Sequence, residues 1–199
     1  IDAKCLSHDI SPVIRNTAKS LYKVLSSTKI SRGSNRSGVI AACVFNACKE
    51  CGAPRSPNEI SHIFGIETKV MTKGCKNYTE IMRMSKCDIS RVQDVRSISL
   101  LDFVNRFCHH LGISEKSTDI IVQIAEMCED LKMISDNTPP SVASGCIYLY
   151  VRFKNLDISK KDISDVCKTS EVTVNKCYKK LEANEFIGEF LKHLTITDA

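Results

Sequence analysis

Apolar residues along this chain recur at three- and four-residue spacing, the period of helices that bury one face, and no stretch alternates as a half-buried strand would. The pattern predicts an all-α protein. In the C-terminal half it marks helices over 97–111, 117–133, 139–153, 160–167 and 171–182, punctuated by Gly112, Pro139-Pro140 and the polar stretch 155–159. The third of these carries Val142, Cys146, Ile147, Leu149, Tyr150 and Phe153 on a surface too broad for a peripheral helix, which predicts the centre of a bundle. The N-terminal half reads as helices near 11–27, 37–51, 57–64 and 67–83, with the first helix of the set mostly missing. A further amphipathic helix is expected over 183–194, offering Phe186, Ile187, Phe190 and Leu191.

The two halves match each other. Shifting residues 10–81 by 103 positions lays them without a gap on 113–184. Val39-Ile40-Ala41-Ala42-Cys43-Val44-Phe45 falls on Val142-Ala143-Ser144-Gly145-Cys146-Ile147-Tyr148, and Ala18, Leu21, Val24 and Leu25 fall on Ile121, Ile124, Met127 and Cys128. Solenoid repeats run to roughly 20–50 residues, so this period indicates two copies of one domain. The expected division is a first copy over 1–86, a short polar linker over 87–96, and a second copy with an added helix over 97–199.

Hydrophobic residues make up 43% of the 199 and charged residues 26%, ordinary values for a globular chain. No apolar run reaches the roughly 18 residues that a membrane-spanning helix needs, so no membrane partner is expected. The chain begins at Ile1 without Met and reads as a fragment. Charge is uneven: residues 1–95 hold 15 Lys/Arg against 8 Asp/Glu, while 96–199 hold 13 against 15. A basic first copy suggests a nucleic-acid or acidic partner for that half. The 11 cysteines lie mostly within apolar patterns and indicate reduced core thiols. Cys48 and Cys51 have metal-ligand spacing, but no second pair or His cluster completes a tetrahedral site, and neighbouring His109 and His110 point to different helix faces. Neither a metal nor a cofactor is expected. Gly-rich phosphate loops, Ser/His/Asp sets and framed carboxylate pairs are missing too, so no enzyme is predicted.

The last two helices of each copy are joined by a turn of three or four residues, which predicts a helix-turn-helix. In the second copy Ser170 should cap a helix whose Val174, Cys177 and Leu181 face inward. That leaves Val172, Thr173, Asn175, Lys176 and Lys179 for solvent or a DNA groove. Asn pairs bidentately with adenine and Val meets a thymine methyl.

Several segments together carry a family resemblance. Pro140 to Tyr148, Lys161-Asp162-Ile163-Ser164-Asp165-Val166 and Glu171 to Lys179 resemble the second cyclin-fold repeat of the transcription factor IIB family. Gly33 to Ile81 resembles the first repeat, and Asp102 to Cys108 the opening of the second. The resemblance implies two tandem five-helix cyclin-like repeats, each ending in a helix-turn-helix. It also implies a non-enzymatic initiation-factor core that binds TATA-binding protein and promoter double-stranded DNA and bridges to RNA polymerase. The recognition helix of the second repeat would read a major-groove element through positions matching Val172 and Asn175. The family usually has Arg at the second of these, and Asn175 points instead to an A-rich preference. The first repeat would touch DNA through a loop matching Arg32, Gly33 and Ser34, where Ser34 replaces an Arg placed in the minor groove. Lys69 and Lys73 match basic positions on the fifth helix, and Arg36 adds charge nearby. The family's N-terminal zinc ribbon and reader segment have no counterpart among these residues. Such departures suit a divergent protist or viral member, acting in the nucleus or in a viral factory in the host cytoplasm. The competing reading is a cyclin-like protein-binding module, a kinase activator or scaffold, that does not bind DNA.

Overall fold

The computed structural model describes residues 1–85, 99–131 and 136–197, and every regular element among them is helical. The chain divides into two units, Ile1–Ser97 and Ile98–Ala199, each around its own core. The predicted linker over 87–96 lies outside the described residues.

In the first unit α1 (Asp2–Cys5) and a 3-10 turn at Leu6–His8 stand where a shortened first helix was expected. They are followed by α2 (Pro12–Thr28), α3 (Gly33–Glu50), α4 (Pro57–Phe64) and α5 (Thr68–Met84). Helix α3 is the hub, packing on α2, α4 and α5 through fully buried Ala41, Ala42, Cys43, Val44, Ala47 and Cys48. It starts four residues earlier than the predicted 37, because its first turn is polar and gives no apolar period to read.

The second unit contains α6 (Leu100–His110), α7 (Glu115–Asp130), α8 (Pro139–Phe153), α9 (Lys160–Cys167), α10 (Glu171–Glu182) and α11 (Glu185–Thr197). As the broad apolar surface of 139–153 predicted, α8 is the hub and packs on α6, α7, α9 and α10. Burying a side chain such as Phe103 or Phe107, each 1% exposed, contributes about 2–3 kcal/mol. On α11, Ile187 and Leu191 are buried as expected, whereas Phe186 points to solvent. No helix among the described residues is long and apolar enough to cross a membrane.

The internal repeat extends to the backbone. Left-handed residues pair across the 103-residue shift: Asp9 with Gly112, Gly52 with Asn155, and Gly65 with Lys168, all with φ between 51° and 71°. So do the helix caps. Ser11 and Ser114 accept hydrogen bonds from the N–H groups of Ile14 and Ser117, and Ser56 and Ser159 each close a capping box with Glu59 and Asp162. A serine at the N-cap satisfies an otherwise unpaired N–H, and replacing it by Ala costs about 1 kcal/mol. The same hydroxyls therefore start the same helices in both copies.

In both units the hub meets the fifth helix through glycine. A Cβ on Gly38 would lie 2.7 Å from the Val70 carbonyl oxygen, and one on Gly74 would collide with the Gly38 backbone. In the second unit a Cβ on Gly145 would lie 2.5 Å from Cβ of Cys177. Small residues thus set how closely α5 lies on α3 and α10 on α8.

Candidate nucleic-acid interface

Helix α9 ends in a left-handed residue, Lys168, with φ 51°. The turn is tied down by Ser164, whose hydroxyl donates to the Thr169 carbonyl at 2.6 Å while the Thr169 N–H donates back to the Ser164 carbonyl at 3.2 Å. Ser170 then caps α10, accepting from the Thr173 N–H at 3.2 Å. These contacts position the start of α10 relative to α9 and give the predicted helix-turn-helix its corner. On the inner face Val174, Cys177 and Leu181 are fully buried. Burial raises the Cys177 thiol above its ordinary range, with Lys180 and Lys176 pulling the other way.

The outer face of α10 carries most of the predicted residues. Val172 is 77% exposed, and Lys176 and Lys179 are exposed beside it. Asn175 is half-buried one turn from Val172, so Val172, Asn175, Lys176 and Lys179 form one outward stripe. Thr173 is half-buried at the same end of the helix. Its Oγ1 lies 2.9 Å from Ser170 Oγ, so the group already belongs to the helix cap.

In the first unit the predicted contact loop is shorter than expected. Only Arg32 precedes the helix, as its N-cap, while Gly33, Ser34 and Arg36 occupy the first turn of α3. Gly33 has φ 55°, which lets the chain swing into the helix without strain, and a Cβ there would meet nothing within 4 Å. Arg32, Gly33, Ser34 and Arg36 are all exposed, and Arg36 Nε donates to the Tyr22 hydroxyl at 3.0 Å.

Lys69 and Lys73 are exposed on α5, and with Thr68 and Thr72 they line a shallow depression. Sequence reasoning missed its fifth member, Lys76, and the neighbouring Arg83. The signal was available: from Lys69 the steps to Lys73, Lys76 and Arg83 are four, seven and fourteen residues, the spacing of one helix face. Glu80, the acid on that face, is held by Lys29 at 3.1 Å, which leaves the stripe predominantly basic.

Cys48 is in the core, while Cys51 is exposed with its sulfur 3.7 Å from Thr17 Oγ1, and His109 and His110 end α6 at the surface. No group of three His, Cys, Asp or Glu side chains among the described residues is placed to hold a metal ion.

Comparison with known proteins agrees with the repeat and the resemblance. The model of the transcription factor TFIIB repeat matches twice, over residues 1–82 and 93–184. A transcription initiation factor IIB-like protein of Acanthamoeba polyphaga mimivirus is 38% identical over 192 residues, covering 91% of this chain and 42% of that protein. Transcription initiation factor IIB of Encephalitozoon cuniculi is 28% identical, covering 91% of this chain and 55% of its own length. That of Saccharomyces cerevisiae is 24% identical, covering 89% and 52%. The chain spans about half the length of the curated relatives it matches. With two matched repeats laid on two all-α, cyclin-like units, the chain belongs to the transcription factor IIB family.

Proposed function

We propose that this chain is the core of a general transcription initiation factor, binding promoter double-stranded DNA together with TATA-binding protein and bridging to RNA polymerase. The observation that carries the reading is the outer stripe of α10. An exposed Val172 beside Asn175 and Lys176, on a helix held at its start by Ser164 and Ser170, suits insertion into a major groove. The basic face of α5 and the exposed start of α3 supply phosphate contacts without sequence preference. Residues 1–86 would form the first repeat and 97–199 the second, joined by 87–96. The relatives include eukaryotic and giant-virus proteins; a chain of cellular eukaryotic origin would act in the nucleus, and one from a cytoplasmic DNA virus in a viral factory of the host cytoplasm.

Fluorescence anisotropy on labelled TATA-containing duplexes, with TATA-binding protein from the same source, tests this. Lys69→Ala/Lys73→Ala should weaken binding to every sequence and lower the slope of log K against log salt by about 1.8, two phosphate contacts at about 0.9 each. Asn175→Ala should cost about 1–3 kcal/mol on preferred sequences only. Equal losses for Asn175→Ala on all duplexes, or an unchanged salt slope in the lysine variant, would remove the assigned roles. A cyclin-like, DNA-independent role would show as no duplex binding under any of these conditions.

A further inference from the structure

We propose that Arg36 is a phosphate-gripping residue of the first unit and that Tyr22 is the residue that positions it. This rests on the DNA-binding reading above.

Tyr22 sits on α2, half-buried and packed against the core of the first unit, so its ring is anchored. Its hydroxyl accepts the Arg36 Nε–H at 3.0 Å across the α2–α3 interface. A guanidinium has five N–H donors in a rigid plane, and engaging Nε fixes that plane while leaving both terminal amino groups available. Those two groups form the edge that pairs bidentately with phosphate oxygens. Arg36 is exposed and has no carboxylate partner among the described residues, so its charge is not cancelled by a salt bridge.

The pair belongs to the first unit alone. Across the 103-residue shift Tyr22 falls on Ala125 and Arg36 on Pro139, the first residue of α8, so the second unit has neither the pair nor the first turn of α3 that carries Arg36. Arg32, the N-cap residue, stands just before that turn, so two exposed cations mark the start of α3. Ser34 cannot carry charge, so Arg36 is the cation of the first turn of α3.

The test is a double-mutant cycle on the whole chain, read by anisotropy with a fluorescein-labelled TATA duplex and TATA-binding protein. Arg36→Ala should lower affinity about tenfold at low salt and reduce the salt slope by about 0.9. Tyr22→Phe keeps the ring and removes only the hydroxyl. It should lower affinity about threefold and have no further effect in the Arg36→Ala background. Arg36→Lys should recover the salt slope but not the affinity, because an ammonium has no planar edge to orient. Melting temperatures within a degree or two of wild type would show that the loss is not one of folding. If Arg36→Ala leaves the salt slope intact while Lys69→Ala/Lys73→Ala lowers it, the inference is wrong and the DNA-binding reading stands. Additive effects of Tyr22→Phe and Arg36→Ala would remove the positioning role of Tyr22. If the wild-type chain binds no duplex with TATA-binding protein present, both fall together.

Discussion

Replacing Gly74 by Ala is a sharp test of how the first unit holds its basic helix. The added Cβ would fall 2.8 Å from Cα of Gly38 and nearer still to that residue's carbonyl group, all backbone atoms that cannot rotate away. Helices α3 and α5 must therefore separate. Overpacking costs about 1–3 kcal/mol, and a clash of backbone with backbone belongs at the upper end, about 3 kcal/mol. Alanine returns about 1 kcal/mol of helix propensity relative to glycine, leaving a net loss of about 2 kcal/mol. For a unit of this size that corresponds to a fall of about 8–16 °C in melting temperature. Gly188→Ala is the control, because a Cβ there meets nothing within 4 Å and the same propensity should raise stability by about 1 kcal/mol at most. Differential scanning calorimetry of the two variants should move the transitions in opposite directions. A Gly74→Ala protein that melts at or above wild type would refute the close approach of α3 and α5.

The Ser159 hydroxyl and N–H hold the exposed Asp162 carboxylate below its ordinary value of 3.8, so the carboxylate form is favoured on folding. That contribution is present above the ordinary value and is lost as pH falls through the lowered one. In urea titrations Asp162→Asn should lower stability near neutrality and bring the variant closer to wild type below pH 3.8. Thiol reactivity should follow burial: burial pushes Cys108 up to about 11 and Cys43 higher, and contact with Cys128 together with burial raises Cys146. Brief alkylation of the native protein, read by peptide mass spectrometry, should modify exposed Cys51 and spare those three until urea is added. Early labelling of Cys146 would show that α8 is not the buried hub.

The extent to which the sequence revealed this arrangement varied with how much apolar contrast each segment carried. Helices α8, α9 and α10 begin and end where the pattern predicted, because Pro139-Pro140, Ser159 and Ser170 mark their starts with strong local chemistry. The start of α3 was not legible. Ser34-Asn35-Arg36-Ser37 is polar on every face, Arg32 makes no side-chain cap, and nothing but the left-handed Gly33 marks the turn into the helix. At the candidate interface the outward face of α10 followed from the inward spacing of Val174, Cys177 and Leu181, since fixing one face of a helix fixes the other. The hydroxyl contact between Ser170 and Thr173 at the cap was not legible, because spacing alone does not reveal a local side-chain pairing. The Tyr22–Arg36 contact joins residues 14 apart on different helices, a pairing that depends on how α2 packs on α3.

The proposed function requires that this chain join TATA-binding protein on promoter DNA. A gel shift of the chain on a TATA-containing duplex, with and without TATA-binding protein from the same source, measures it directly. A further-retarded complex is expected that forms only when TATA-binding protein is present and is weakened by Asn175→Ala. With that partner shown to bind the duplex by itself, the absence of any further retardation would contradict the account.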